Sequence, residues 1–165
     1  MIFSKGAEST LPLFVGGDEM AITIIPMAER HVVAIAALEA QCFSDPWSEA
    51  SLAEELDNSH AVFYVATDGE RVLGYAGMHH IGDEGYIDNV AVSPDARRRG
   101  IARQLMSTLE RYGRDNGLYR LTLEVRASNV AALALYEGAG YVCDGVRPSF
   151  YRKPTEDAVI CSLYL

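Results

Sequence analysis

Asn89-Val90-Ala91-Val92-Ser93-Pro94-Asp95-Ala96-Arg97-Arg98-Arg99-Gly100-Ile101-Ala102 runs from an apolar, β-branched stretch through a proline turn into a loop of arginines and a glycine. An amphipathic pattern follows, so the segment reads as strand, loop and helix start. The first amides of a helix have no internal partner, and the helix dipole is positive at that end. Gly100 has no Cβ to keep a ligand from the main chain. Two readings stand for the loop: a seat for a ligand's phosphates, or a connection carrying solvated arginines.

Working outward, the helix runs from Arg98 to Asn116 with Ile101, Leu105, Leu109 and Tyr112 on one stripe, and Asn116-Gly117 closes it. Tyr119–Val125 reads as a strand, Asn129–Glu137 as a helix, and Gly140–Asp144 and Ala158–Tyr164 as closing strands. Upstream, Ala21–Ile25 is a short strand closed by Pro26. Ala28–Cys42 has helical spacing at Val32, Ile35 and Leu38, and Ser44-Asp45-Pro46 ends it. Ser48 caps a second helix to Asp57; Ala61–Thr67 and Arg71–His80 form a hairpin around Asp68-Gly69, and Gly82–Gly85 turns into Tyr86–Val92. The order β-α-α-β-β-β-α-β-α-β-β predicts one α/β (α+β) domain with a mixed sheet over residues 21–165, not a doubly wound fold. Residues 1–20 read as a flexible extension, too weakly basic and too short in its apolar patch for a signal peptide, and Met20 offers an alternative start.

A net charge of −9 over 165 residues argues against general affinity for nucleic acid or anionic membranes and is compatible with a cationic partner. No apolar run approaches the ~18 residues of a membrane helix. Cys42, Cys143 and Cys161 are odd in number and lack CxxC spacing, so neither a disulfide framework nor a zinc site is expected, and a reducing compartment is. His79, His80 and the cysteines lack metal-ligand spacing, and no metal is expected.

The loop is followed by Leu121-Thr122-Leu123-Glu124-Val125-Arg126-Ala127-Ser128-Asn129 and Ala134-Leu135-Tyr136-Glu137-Gly138-Ala139-Gly140-Tyr141. With Asn89–Ala102, these motifs resemble the GNAT acetyltransferase superfamily, and within it the RimI-type ribosomal-protein-alanine N-acetyltransferases. Asp45-Pro46-Trp47-Ser48 and Glu156-Asp157-Ala158 fit the same subfamily, and the resemblance spans roughly residues 22–165. It implies a GNAT-type central sheet of seven strands with four helices, and acetyl-CoA as donor. It further implies that the backbone of Val90, Ala91 and Val92 runs along the pantetheine arm. The pyrophosphate would lie over the amides of Arg98, Arg99, Gly100, Ile101, Ala102 and Arg103, with Arg97 and Arg99 as added charge. Asn129 would contact the cofactor. The acceptor implied is the N-terminal amine, alanine, of a basic small-subunit ribosomal protein in the cytoplasm. Lysine or a small-molecule amine is the alternative acceptor, and a non-catalytic acetyl-CoA-binding module is a third reading.

Strand alternation puts Leu121, Leu123 and Val125 on one face and Thr122, Glu124 and Arg126 on the other. A mid-strand carboxylate there is either paired with an arginine or functional. The resemblance makes Glu124 the general base, acting through water. Tyr136 lies two turns beyond Asn129 on one helix face, either a core aromatic or, by resemblance, the general acid beside the sulfur. Attack would be direct, with no cysteine intermediate. Tyr86, Asp88, Val90 and Val92 are expected on one strand face, with Tyr86 and Asp88 lining the acceptor pocket and Asp88 a competing base. Trp47 is read as groove wall or core anchor. Tyr151 matches a family aromatic near the peptide groove, although Pro148 and Phe150 stand where the family often has a second arginine and a tyrosine pair.

Overall fold

The computed structural model describes residues 21–165. The expected extension 1–20 lies outside the described residues. The elements follow the predicted order: β1 (Thr23–Pro26), α1 (Val32–Cys42, entered through a 3-10 turn at Glu29–His31), α2 (Glu49–Glu54), β2 (Ala61–Asp68), β3 (Arg71–Ile81) and β4 (Glu84–Val92). A second 3-10 turn (Pro94–Ala96) leads to α3 (Ile101–Asp115), β5 (Arg120–Arg126), α4 (Val130–Gly138), β6 (Val142–Arg152) and β7 (Thr155–Tyr164). The strands form one seven-stranded sheet in the order β1-β2-β3-β4-β5-β7-β6.

Two apolar clusters cover the sheet's two faces. Ile101, Leu105, Met106 and Leu109 of α3 meet Ala76, Met78, Leu121, Leu123 and Val125. On the other side Val32, Ile35 and Leu38 of α1 and Leu52 of α2 meet Phe63, Val65 and Tyr75. The alternation Val65/Ala66 and Tyr75/Ala76 between clusters is the period-2 pleat at work. Ser48 caps α2 as expected, its hydroxyl accepting from the Ser51 amide at 3.1 Å. The α1 carboxylate of Glu39 is fully buried and accepts from the Tyr75 hydroxyl, the Asn89 amide and the Trp47 backbone N–H. That network ties α1, two strands and the α1–α2 connection into one unit.

Strand pairing opens the molecule at one place. β4 and β5 run parallel but pair only from Glu84↔Arg120 to Ile87↔Leu123. Beyond that point β4 continues along β3 while β5 continues along β7 as far as Arg126↔Ala158. The two strands therefore diverge, leaving a cleft between them.

Three expectations need correction. First, Asp88 has no partner on β3: the register steps from Gly77↔Asn89 to Met78↔Ile87. This bulge flips the alternation. Ile87 and Val90 both pack toward the α3 face, and Asp88 turns instead toward His79, so the predicted shared face of Asp88, Val90 and Val92 does not exist. Second, β6 is much longer than Gly140–Asp144 and reaches Arg152, forming with β7 a hairpin that rises beside the cleft. Third, a disulfide joins Cys143 to Cys161, which the β6–β7 register sets directly opposite. The odd cysteine count carried no information about this pairing, and it removes the argument from cysteine usage for a reducing compartment. No helix among the described residues is long and apolar enough to cross a membrane.

Candidate active site

The cleft between β4 and β5 contains a cavity of about 580 Å³. It gathers Trp47, Tyr86, Asp88, Val90, Glu124, Asn129, Tyr136 and Tyr151 from six different elements and loops. These are the predicted catalytic pair, one cofactor-strand residue, the α4 cap and all four predicted acceptor-side residues.

The edge of β4 explains how an extended ligand can lie here. The Ser93 amide donates to the Leu73 carbonyl at 2.8 Å, so Ser93 and, two residues back, Ala91 direct their main chain at β3. Val90 and Val92 therefore present theirs to the cleft, where β5 has left. Ala91 is committed to the sheet, which narrows the predicted trio to two. The Val92 carbonyl accepts from the Arg97 guanidinium at 3.2 Å.

At the far end of β4 the chain takes left-handed backbone at Arg98 (φ 64°) and Gly100 (φ 75°) before α3 begins. A non-glycine residue in that region is uncommon and marks a constrained loop. The first α3 hydrogen bond recorded from Gly100 runs to the Gln104 amide, leaving the amides of Ile101, Ala102 and Arg103 as unpaired first-turn donors. A Cβ built on Gly100 meets nothing within 4 Å, so open space faces the main chain there. This end is suited to an anion, and the strand edge to an extended arm bearing amides. The loop Arg98–Arg103 lies beyond the cavity lining rather than within it.

Glu124 lies on the β5 face opposite the apolar cluster, its side chain only 3% exposed. Arg147, on β6, approaches Oε1 to 3.2 Å without hydrogen-bond alignment, and neither carboxylate oxygen has a hydrogen-bond partner among the described residues. Burial pushes its pKa up, and the Arg147 charge pulls against that. A carboxylate in this state is poised to take a proton. Tyr136 is also buried, and burial pushes its phenol up to about 12. Asn129 caps α4, its Oδ1 accepting from the Ala132 amide at 3.1 Å. Tyr151 donates to the Glu124 carbonyl at 3.2 Å and stacks under the Arg126 guanidinium, 4.3 Å from the ring centre. Trp47 fills both predicted roles: it lines the cavity and packs on Phe63, ring centres 6.0 Å apart.

Several cavity residues were not singled out from the sequence. The β6–β7 hairpin brings Arg152 and Lys153 to the cavity, and Arg147 to Glu124 from outside its lining, through a register no local pattern reveals. Cys42 also lines the cavity, its Sγ 3.7 Å from the Val92 carbonyl. Arg126 bridges β5 to the hairpin, donating to Glu156 at 3.1 Å and to the Lys153 carbonyl at 3.3 Å, and to Ser44 at 3.4 Å. Among the described residues no group of three or more His, Cys, Asp or Glu side chains is arranged to hold a metal ion.

The profile of the Acetyltransferase (GNAT) family matches residues 32–141. The chain is 35% identical over 147 residues to the N-alpha-acetyltransferase RimI of Mycobacterium tuberculosis (strain ATCC 25618 / H37Rv), covering 86% of this chain and 91% of that protein. It is 34% identical over 145 residues to the [ribosomal protein bS18]-alanine N-acetyltransferase of Escherichia coli (strain K12), covering 86% and 96%. The crystal structure of the Escherichia coli ribosomal-protein-S18-alanine N-acetyltransferase superposes with a TM-score of 0.80 at 32% identity, over 87% of this chain and 94% of that one.

Proposed function

The chain belongs to the GNAT acetyltransferase family and takes acetyl-CoA as its donor, and we propose that its acceptor is the N-terminal α-amine, alanine, of a small-subunit ribosomal protein in the cytoplasm. The observation that carries this reading is Glu124, a buried carboxylate without a hydrogen-bond partner, facing a cleft whose strand edge is open at Val90. The Escherichia coli relative is named for ribosomal protein bS18-alanine, which supports the acceptor class.

The residues present fit the donor. The amides of Val90 and Val92 face the cleft, and the first turn of α3 with Gly100 offers unpaired donors to a diphosphate. Bound there, acetyl-CoA supplies an activated acyl group. The Val90 N–H is the main-chain donor available to the acyl oxygen, and a preoriented amide of this kind needs no rearrangement as charge develops. Glu124 takes the proton from the acceptor amine, directly or through one water. Its raised pKa narrows the gap to either amine equally, and the gap that remains is smaller for an α-amine, near ~8, than for a lysine near ~10.4. Tyr136 keeps its phenolic proton and donates a hydrogen bond that strengthens as negative charge builds on the departing sulfur. Tyr86, Asp88, Trp47 and Tyr151 hold the acceptor, and walls from four elements fix the amine close to the acyl carbon.

Mass spectrometry of ribosomal proteins from cells with and without this protein tests the acceptor. One N-terminal acetyl group is expected to disappear from one ribosomal protein. Unchanged ribosomal N-termini, with acetylation of lysines or free amines by the purified protein, would overturn it. On the donor side, Gly100→Val is expected to raise the Kd for acetyl-CoA more than Arg99→Gln does. Valine is strained at φ 75° and fills the open space, whereas an exposed charge contributes about 1 kcal/mol or less. Calorimetric titration of both variants gives the order.

A further inference from the structure

Asp88 is the residue that the β4 bulge leaves unpaired, and its carboxylate is backed by two side chains, His79 and Glu55, that the catalytic reading does not use. Its Oδ2 lies 2.6 Å from His79 Nδ1, and His79 Nε2 lies 2.7 Å from Glu55 Oε2. A neutral imidazole has one N–H, and contacts this short from both ring nitrogens to two carboxylates match an imidazolium donating to both. Glu55 is held in turn by the Asn58 side-chain amide at 2.8 Å, and the His79 ring sits among Trp47 and Phe63, at 6.4 and 6.0 Å between centres. The unit carries net charge −1 and is fixed on every side. Oδ1 of Asp88 makes no side-chain hydrogen bond among the described residues, and Asp88 lines the cavity.

The charges of the facing wall are largely paired. Arg126, Arg152 and Lys153 line the cavity from β5 and the β6–β7 hairpin, with Arg126 held by Glu156 at 3.1 Å and Lys153 by Asp45 at 3.7 Å. On the β4 side Asp88 keeps one carboxylate oxygen clear of side-chain partners among the described residues, and the Trp47 indole also lines the cavity and adds a π face for a positive group. Resting on the acetyl-transfer reading above, we propose that Glu55 and His79 are positioning residues that hold Asp88 as the anchor for a cationic group of the acceptor. The group is either the incoming ammonium or a basic side chain next to it. Glu124 on β5 is left to handle the proton, so Asp88 and Glu124 divide the labour between binding and chemistry.

Steady-state kinetics on the purified protein tests this, with a lysine-containing peptide that begins with alanine and its counterpart carrying norleucine at each lysine. His79→Gln and Asp88→Asn are expected to raise the acceptor KM about tenfold, the worth of one charge-assisted hydrogen bond, with kcat and the acetyl-CoA KM within about twofold of wild type. Glu55→Gln, one contact further from Asp88, gives a smaller rise in the same constant and serves if His79→Gln does not fold. A penalty confined to the lysine peptide identifies the side chain as the ligand; an equal penalty on both identifies the ammonium. An unchanged acceptor KM in Asp88→Asn, or a loss that falls on kcat or on the acetyl-CoA KM, overturns the inference. If the wild-type protein acetylates neither peptide, the acceptor reading fails first and takes this inference with it.

Discussion

Glu124→Gln is expected to lower kcat by roughly 10²- to 10⁴-fold, the usual contribution of a positioned general base, while the Kd for acetyl-CoA stays at the wild-type value. The amide is nearly isosteric, and the Glu124 side chain makes no hydrogen bond among the described residues, so the change removes basicity and the charge that faces Arg147. The pH profile gives a second signature. An acid whose pKa is raised by burial holds its proton to higher pH than an exposed glutamate, and only the ionised form is a base. Wild-type kcat/KM therefore climbs as pH rises through that raised pKa. In the glutamine variant this limb disappears, and the remaining rise tracks the acceptor amine alone. Rapid-mixing kinetics across pH, with calorimetric acetyl-CoA titration beside it, reads both effects. Full turnover in the variant would remove Glu124 from the mechanism.

How much of this site could be read from the chain depends on whether the signal was local. The alternation of β5 is a property of seven consecutive residues, so Leu121, Leu123 and Val125 inward and Glu124 outward came through unaltered. The cap at Ser48 is equally local, a matter of one side chain, whereas the α3 helix expected from Arg98 begins at Ile101 because Arg98 and Gly100 take left-handed backbone. The face of Asp88 was not legible, because one unpaired residue inverts the pleat and nothing in Tyr86–Val92 marks where the extra residue falls. His79, Glu55 and Arg147 were invisible for another reason. Each meets its partner across 9 to 24 residues or across a strand register, as in the His79–Asp88 and His79–Glu55 contacts. Pairings such as Cys143 with Cys161 follow from where β6 and β7 sit against each other, which the cysteine count cannot express. The family resemblance supplied roles for residues that geometry then collected into one cavity, yet it was silent on the charged wall that faces them.

Tyr136→Phe is expected to lower kcat by about 10²-fold, the lower end of the range for a general acid, with acetyl-CoA and acceptor KM little changed. The phenyl ring preserves the packing against Tyr141, 5.9 Å away between ring centres, so the fold should tolerate the change. Burial holds the phenol near 12, well above the ~8.5 of a thiol. Outright proton transfer to a departing thiolate is uphill by that difference. The useful work is therefore a hydrogen bond that strengthens as negative charge builds on sulfur, a contribution specific to bond breaking. This predicts a dependence on the leaving group. Replacing the thioester by an acyl donor whose thiol is more acidic should shrink the penalty of Tyr136→Phe, because a weaker base needs less help to leave. The Glu124→Gln penalty should not shrink in parallel, since it arises on the amine side. Measuring both variants against both donors separates acid from base, and equal penalties with the two donors would show that the Tyr136 hydroxyl does not act on the departing sulfur.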